Sequence, residues 1–365
     1  MDAIAIRPPR APLGARLRRR LFASPGATVV TLLLAALLGW AAWRLVEWGL
    51  LHAVAAPDYA ACKALERQGA CWGFVAEKWR LILFGRYPFE QQWRPAIATA
   101  AVVAMLLATA APALWTRRGA RVLAAGWVVA FAVFFALMAG GVLGLEPIGT
   151  DRWGGLPLTV ILTLIGMAAS TPIGIALALA RRSSLGLLRS LAVGYIELVR
   201  GVPLITVLFV SAFIFPLVLP AGWRIDPFWR VAIGLVLFQA AYMAETVRGG
   251  LQGVPVEQEE AAYSLGLRWW QVQLFITLPQ ALRIVVPGIV NNVVDLFKDT
   301  SLVTIIGLVD LLGAVNQSLK DPAWLGLAKE GYVFTAVVFF VCCFGMSSYS
   351  RRFERRLNRH RTGGH

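Results

Sequence analysis

Long apolar segments alternate with short polar segments along almost the whole chain. Each apolar segment is about 20 residues long, the length that an α-helix needs to cross the hydrocarbon core of a bilayer. The pattern predicts an all-α integral membrane protein with eight membrane-spanning helices. Their approximate bounds are 28–51, 96–115, 122–143, 156–180, 203–219, 228–247, 280–297 and 332–349.

The polar segment 248–279, between the sixth and seventh spans, carries residues that begin and end helices. Pro255 fits the first turn of a short helix, where a missing N–H costs nothing. Gly266 can end that helix in a left-handed conformation. A second short helix is predicted over 268–276, before Pro279 opens the next span. A helix–glycine–helix unit at a membrane face indicates a docking surface.

The composition agrees with a membrane protein and argues against a nucleic-acid-binding one. Hydrophobic residues make up 58% of the 365 positions and charged residues 15%, whereas a soluble domain carries about 25% charged residues. The net charge of +15 comes largely from arginines in short segments beside the apolar spans, as orientation signals do. Membrane lipid is therefore an expected partner, and nucleic acid is not.

Arginine clusters orient the predicted spans. They lie in the N-terminal segment 1–26, around 117–121 and 181–189, and in the tail 351–365. An even number of spans places all four clusters on one side, which the positive-inside rule makes the cytoplasm. Both termini and the segment 248–279 are then cytoplasmic. A cleaved signal peptide is the alternative for the first span, but that span is too long for a typical signal.

The long loop 52–95 falls in the oxidising periplasm in this orientation. Cys62 and Cys71 lie within it and are candidates for a disulfide, with two free thiols as the alternative. Cys342 and Cys343 are adjacent in the last span, where cysteine acts as apolar filler.

Neither a metal site nor a catalytic centre is predicted. The three histidines have no cysteine or carboxylate partner at metal-ligand spacing, and they form no Ser/His/Asp arrangement. The sequence also lacks a GxxxxGK[ST] loop to cradle phosphates. We therefore expect no enzyme activity and no cofactor in this chain, and active transport would need an energy source on another chain.

The segment 248–279 resembles the EAA signature of ABC importer permeases. The matching positions are Glu260, Ala261, Ala262, Gly266, Ile276, Leu278 and Pro279. The flanking segments YMAETVRGGLQGV, LPQALRIVVPGIVN and KDTSL, with YIELVRGVPLI upstream, resemble the branch that transports polar amino acids. The three extra N-terminal spans, with GACW and FGRYP in their loop, resemble the larger, eight-span permease subunit of general L-amino acid transporters.

This resemblance implies a domain organisation. A five-helix type I ABC permease core would occupy 151–350, after an accessory region of three helices over 27–150. The EAA positions would form a coupling helix that docks on a separate ATPase. On the residues alone, an amphipathic helix resting on lipid headgroups is the alternative for that segment.

The resemblance also implies partners and a function. The partners would be a dimer of ATP-binding subunits carrying the ATP and magnesium, a second permease subunit and a periplasmic amino-acid-binding protein. The function would be uptake of L-amino acids across a bacterial inner membrane. An ABC permease for another polar solute such as an opine, an ion-coupled secondary transporter, and a membrane scaffold or sensor are the alternatives.

Polar residues within a span are costly and suggest function. Asn291, Asp295 and Lys298 share one face of the seventh span and are candidates for the translocation path. The alternative is that Asn291 and Asn292 hydrogen-bond between helices while Asp295 and Lys298 pair with each other.

Two pairs of charged residues lie near the cytoplasmic boundary. Glu197 precedes Arg200, and Glu245 precedes Arg248, each by three residues, so each pair can meet on one helical turn. They are candidates for a gate or for an anchor of the coupling segment. Charge neutralisation where helices leave the membrane explains them equally well.

Overall fold

The computed structural model describes residue 14 and residues 21–65, 68–142, 144–220, 222–324 and 326–362. Most of the predicted basic N-terminal segment therefore lies outside the described residues. Within them, seven helices are long and apolar enough to cross a membrane, and a bent helix pair makes an eighth candidate. The prediction of an all-α protein with about eight spans is confirmed.

The described helices are numbered here in chain order. They are α1 (Pro25–Val46), α2 (Tyr59–Ala64), α3 (Trp72–Phe84), α4 (Trp93–Ala110), α5 (Arg117–Ala139), α6 (Gly155–Arg181), α7 (Gly186–Gly201), α8 (Leu204–Phe209), α9 (Pro227–Gln252), α10 (Val256–Ser264), α11 (Trp269–Gln271), α12 (Leu278–Asp299), α13 (Leu311–Ser318) and α14 (Ala328–Thr362). Turns of π-helix extend α1 over Glu47–Leu51, extend α8 over Val210–Ile214 and join α11 to α12 over Val272–Thr277. A single short strand, β1, covers Val309–Asp310.

The predicted fifth span is the second half of a bent pair. The helix α7 precedes it, between the predicted fourth and fifth spans, and the two halves meet at an angle of 105°. The bend falls at Pro203, whose ring disfavours helical backbone at the preceding residue. Val202 accordingly has extended angles, with φ −109° and ψ 136°. The sequence prediction missed α7 because charged residues interrupt its apolar positions.

The predicted short helix over 268–276 is not a separate element. It runs without a break from α11 through the π-helical turn into α12, so the seventh span begins earlier than predicted. Pro255 also lies one position outside its predicted place, since α10 begins at Val256 and Pro255 is its N-cap.

The first compact unit comprises residues 1–77. The structure joins Cys62 and Cys71 by a disulfide, with their Cα atoms 5.5 Å apart. Asp58 caps α2 by accepting a 2.8 Å hydrogen bond from the N–H of Ala60. The Trp72 indole donates a 2.7 Å hydrogen bond to the Gly49 carbonyl.

The second compact unit comprises residues 78–365, and its centre is formed by α6 and α9. Gly174 of α6 lies so close to α9 that an added Cβ would stand 2.7 Å from the Cβ of Met243. Small residues allow such close helix contacts in membranes, where dispersion contacts hold helices together. A side chain larger than glycine at this position would push α6 and α9 apart.

The helices α4 and α5 belong to this second unit, so packing does not break at the domain boundary predicted near residue 150. Trp153 lies 5.9 Å from Phe135 of α5 and 5.3 Å from Phe228 of α9, measured between ring centroids. These aromatic contacts join an accessory helix to the core.

Two buried polar side chains stabilise the end of α5. Arg94 is 1% exposed and donates a 2.6 Å hydrogen bond to the Leu137 carbonyl, and the Tyr87 hydroxyl donates to the Met138 carbonyl at 3.0 Å. Carbonyls at a helix C-terminus lack helical partners, so these donors satisfy them. Burial raises the pKa of Tyr87 to about 12. The sequence analysis did not identify either role.

Candidate coupling loop and membrane cavity

The predicted coupling segment contains a short polar helix that ends at a glycine. Gly266 has a φ of +79°, in the left-handed region that favours glycine. Its N–H donates to the Tyr263 carbonyl at 2.9 Å, and the Leu267 N–H donates to the Ala262 carbonyl at 3.3 Å. These bonds close the C-terminus of α10 and turn the chain towards α11.

An ion pair holds α10 against the end of α6. Glu259 accepts a 2.9 Å hydrogen bond from the Arg182 guanidinium and a 3.3 Å bond from the Thr277 hydroxyl. A carboxylate in helix α10 thus binds both a neighbouring helix and the turn that leads into α12. Both partners of Glu259 are distant in sequence, so spacing along one helix does not predict these contacts.

The EAA triplet divides between the surface and the interior. Glu260 and Ala261 are exposed, whereas Ala262 is 4% exposed. Ala262 therefore lies away from the exposed face of α10, because successive helical positions point about 100° apart. Ala262 is small because it packs inside the loop, and Glu260 and Ala261 form the face available to another molecule.

The C-terminal part of the signature begins the next span. Leu278 is buried and Ile276 is half-buried, while Pro279 is exposed in the first turn of α12. Proline is tolerated at that position because the first N–H groups of a helix lack internal partners. The signature therefore joins the polar loop to α12 through two apolar contacts and one rigid turn.

Charged residues of three helices meet near the predicted cytoplasmic boundary. Glu245 of α9 lies 2.8 Å from Arg248, 2.7 Å from Arg181 of α6 and 3.6 Å from Arg200 of α7. Arg181 also lies 3.3 Å from Glu197. The structure therefore contains the predicted Glu245–Arg248 pair.

The predicted pairing of Glu197 with Arg200 is wrong within the described contacts. Glu197 pairs with Arg181, and Arg200 lies beside Glu245. Arg181, at the end of α6, sits between the two carboxylates, and this contact is invisible in a pattern of spacing along one helix. The cluster connects α6, α7 and α9 rather than neutralising each helix separately.

A cavity of about 430 Å³ lies between α8, α9 and α12. Its lining includes two of the three predicted path residues, Asp295 and Lys298, which form a 2.9 Å ion pair. The complete lining is Leu204, Phe238, Gln239, Tyr242, Asn292, Asp295, Lys298 and Asp299.

Asn291 was predicted to line the path, but Asn292 takes that place. The Asn292 amide donates a 3.0 Å hydrogen bond to the Thr246 hydroxyl of α9. Residues three and four positions before Asp295 both share its helix face. The packing of α12 on α9 selects the position three residues away, and Asn291 is exposed outside the cavity.

The cavity combines both signs of charge with aromatic and amide groups. Lys298 is a cation, Asp295 and Asp299 are carboxyl groups, and the Nε2 of Gln239 is buried with no hydrogen-bond partner in the structure. Such a lining suits a small zwitterion, whose carboxylate and ammonium groups need opposite partners. The described residues contain no cluster of three or more His, Cys, Asp or Glu side chains able to hold a metal ion.

Comparisons with known proteins agree with this geometry. Residues 170–359 match the model of a family described as the binding-protein-dependent transport system inner membrane component. This match contains the predicted coupling loop, the charged cluster around Glu245 and the cavity. The helices α1 to α5 lie outside it.

Two curated relatives match nearly the whole chain. It is 46% identical over 332 residues to the inner membrane amino-acid ABC transporter permease protein YhdY of Escherichia coli (strain K12), covering 88% of each chain. It is 36% identical over 405 residues to the glutamate/glutamine/aspartate/asparagine transport system permease protein BztC of Rhodobacter capsulatus, covering 94% of this chain and 93% of that protein.

A solved structure of an amino acid ABC transporter with histidines matches about half of this chain. The match has a TM-score of 0.50 and 29% identity, and it covers 55% of this chain and 92% of that chain. The three comparisons thus agree on the class of protein and differ in how much of the chain they cover.

Proposed function

The chain belongs to the family of binding-protein-dependent transport system inner membrane components, and we propose that it imports L-amino acids with energy from a separate ATPase. It is a multi-span permease subunit of an ABC transporter, with a type I permease core. The amino acid substrate is supported by the two relatives that match nearly the whole chain, both of which are amino acid transport permeases. A permease for another polar solute such as an opine is the alternative.

One observation carries the proposal: the coupling loop has an exposed face and a second face attached to the membrane helices. Glu260 and Ala261 are exposed, while Glu259 binds Arg182 and Thr277 on the other side of α10. A protein that pushes on the exposed face therefore moves the end of α6 and the start of α12 together. The helix α12 lines the cavity, and α6 packs against α9, which also lines it.

The remaining parts of the complex follow from this role. A dimer of ATP-binding subunits, which binds the ATP and magnesium, docks on the exposed face of α10 in the cytoplasm. A second permease subunit completes the path, and a periplasmic binding protein delivers the amino acid. This orientation places both termini in the cytoplasm and agrees with the arginine clusters beside the spans.

The cavity supplies half of the path in this proposal. Lys298 receives the substrate carboxylate, and Asp295 or Asp299 receives its ammonium group. The cluster of Arg181, Glu197, Arg200, Glu245 and Arg248 lies between this cavity and the coupling loop. It holds α6, α7 and α9 together, so that the three helices move as one body when the loop moves.

Co-purification and uptake test the proposal on the complete complex. We expect Glu260→Lys and Gly266→Pro to lose the ATP-binding subunit and ATP-driven amino acid uptake while the permease stays folded. Glu90→Lys makes the same charge change on an exposed residue of the predicted periplasmic side and should keep both. Retention of the ATP-binding subunit and of uptake in the two loop variants would sink the proposed coupling role.

Substrate class is tested by uptake of labelled glutamate, glutamine and an opine into vesicles containing the complex and its binding protein. Uptake of the amino acids that requires ATP is the expected result. Uptake driven by an ion gradient without ATP would instead indicate a secondary transporter.

A further inference from the structure

An apolar groove includes part of the predicted coupling segment and shares no lining residue with the cavity between α8, α9 and α12. It has a volume of about 870 Å³ and lies between α6, α7 and the segment that runs from α11 into the following π-helical turn. Ile173, Leu177, Leu188, Trp270 and Leu274 are among its lining residues. Along α6 the lining extends from Ile173 to Ala180, about 10 Å of helix. The groove therefore offers an apolar surface along which a hydrocarbon chain can lie.

One buried polar atom faces this groove without a partner. Gln273 lines the groove and is 1% exposed, and its Oε1 atom has no hydrogen-bond partner in the structure. Gln273 lies in the π-helical turn Val272–Thr277, a local distortion that often marks functional sites. An unpaired buried acceptor costs free energy, and a ligand with a hydroxyl or ammonium donor would satisfy it.

Three arginines are adjacent in sequence to residues that line this groove. Arg189 follows Leu188, and Arg268 precedes Trp269. Both arginines are exposed, and neither has an ion pair among the described contacts. Arg182 precedes Ser183 of the lining and binds Glu259. We call these three arginines the basic rim, and they belong to the segments in which the predicted spans end in arginine.

Trp269 and Trp270 place the groove at the membrane boundary. Both line it and are 43% and 47% exposed, and tryptophan side chains prefer the headgroup region of a bilayer. An apolar channel, a basic rim and an aromatic boundary together match the three parts of a phospholipid. A basic rim on its own would also attract any soluble anion, but the apolar depth favours one that carries an acyl chain.

We propose that this groove binds phosphatidylglycerol from the cytoplasmic leaflet. The acyl chain lies along α6, the phosphate lies between Arg189 and Arg268, and a headgroup hydroxyl donates to Gln273 Oε1. The assignment to the cytoplasmic leaflet rests on the proposed orientation of the transporter. Gln273 lies four residues before Thr277, whose hydroxyl binds Glu259, so the bound lipid holds the turn that supports the coupling loop.

Lipid retention tests this site without any transport measurement. The complete complex is reconstituted in vesicles of phosphatidylcholine with phosphatidylglycerol, then extracted in detergent and purified, and its bound lipids are quantified by mass spectrometry. We expect phosphatidylglycerol to be enriched over its vesicle fraction. Ala176→Trp fills the groove from α6 and should lower retention about tenfold, because an overfilled site has no room for the chain.

Two further variants separate the headgroup contact from general lipid contact. Gln273→Leu keeps the side-chain size and removes the acceptor, so retention should fall about fivefold, the size of one hydrogen bond. Val337→Trp introduces the same tryptophan at an exposed apolar position of α14 and should leave retention unchanged. Equal retention in the wild type and Ala176→Trp overturns the site, and so does replacement of phosphatidylglycerol by phosphatidylcholine without loss.

A photo-cross-linking amino acid at Leu188 identifies the occupant directly. Cross-linking to phosphatidylglycerol supports the proposal. Cross-linking to a protein chain, whether a second permease, the ATP-binding subunit or residues 1–20 of this chain, overturns it. Because neither assay needs substrate, a failure of the amino acid proposal would leave the lipid result intact, and the converse also holds.

Discussion

The guanidinium of Arg182 lies 2.9 Å from the carboxylate of Glu259, and this ion pair joins the end of α6 to the coupling helix α10. The two residues are 77 positions apart in the sequence. Their side chains are partly exposed, at 33% and 17%, so water weakens the attraction. The pair therefore contributes to the orientation of α10 relative to α6 more than to the free energy of folding.

A charge exchange tests this connection. Arg182→Glu and Glu259→Arg should each lower ATP-driven uptake several-fold, because each places like charges together. The double variant restores the pair and should recover most of the uptake. Uptake and ATP hydrolysis of the reconstituted complex are measured for all four forms, and the expected coupling energy is about 1 kcal/mol. If the double variant is as impaired as the sum of the two single ones, the ion pair does not position the loop.

The left-handed backbone at Gly266 predicts a steep dependence on side chain. Gly266→Ala should destabilise the loop by about 1 kcal/mol, and Gly266→Val by more, because L-residues avoid a φ of +79°. Gly249→Ala, the same substitution inside α9 with open space around the new Cβ, should instead stabilise by about 0.5 kcal/mol. Thermal unfolding and retention of the ATP-binding subunit measure both effects. A loss of stability at Gly249 equal to that at Gly266 would contradict the explanation.

Lys298 is expected to receive the carboxylate of the substrate. Lys298→Met should raise the KM for uptake about tenfold or more, since a hydrogen bond to a charged group contributes about 1.5–3 kcal/mol. Lys329→Met removes an exposed lysine outside the cavity lining and should leave the KM unchanged. Amines that lack the α-carboxylate provide the second measurement as competitors. A role in substrate binding is contradicted if Lys298→Met weakens these amines as much as it weakens amino acids.

Asp310 lies on the predicted periplasmic side. We expect its buried carboxyl to make the stability of the folded protein depend on pH. The Asp310 carboxyl is fully buried at the start of α13, where it accepts hydrogen bonds from the Thr304 hydroxyl and from the N–H groups of Leu312 and Gly313. Burial raises its pKa from 3.8 to about 6, against the lowering effect of those hydrogen bonds. The folded protein therefore holds this proton more tightly than the unfolded chain does.

The sign of the effect follows from that difference. The contribution of Asp310 to stability is fully present below pH 3.8 and is lost as the pH rises through about 6. Its size is about 2–3 kcal/mol at most. Asp310→Asn keeps the N-cap and should remove this slope from a series of unfolding midpoints. Asp321, whose pKa is lowered by its hydrogen bond to Lys78, should show the opposite slope at lower pH. An unchanged slope in Asp310→Asn would exclude this carboxyl as the source.

The disulfide predicts a local loss of stability on reduction. It closes a loop with a sequence separation of 9, and a cross-link of that length stabilises by about 2.5 kcal/mol by limiting the unfolded chain. Cys62→Ser with Cys71→Ser should make the loop 52–92 more sensitive to proteolysis and leave α6 and α9 unaffected. Cys342→Ser with Cys343→Ser removes two thiols from the last span and serves as the control. Equal proteolysis of both double variants would contradict the prediction.

The sequence was sufficient for the number of spans and for the left-handed turn at Gly266. Each span can be predicted because a bilayer requires about 20 apolar residues in succession. The loop can be predicted because glycine and proline have strong preferences for particular backbone angles. The helix α7 was missed because charged residues interrupt its apolar positions, so that no continuous apolar run marks it in the sequence. Its existence depends on burial of Ala192 and Ile196 against neighbouring helices.

Some contacts of single side chains could be predicted from the sequence, and others required the tertiary structure. Spacing along one helix identified Asp295 with Lys298 and Glu245 with Arg248, because those contacts are local. It did not distinguish Asn291 from Asn292, since both spacings occur on one helix face.

What the sequence by itself determined is therefore the membrane class, the spans and the glycine turn after α10, all of which depend on local composition and turn geometry. The tertiary structure alone decided that Glu259 binds Arg182, that Ala262 faces inward and that Arg181 lies between Glu197 and Glu245. Each of these contacts joins helices distant in the chain. Their partners are selected by packing, and no periodicity within one segment contains that information.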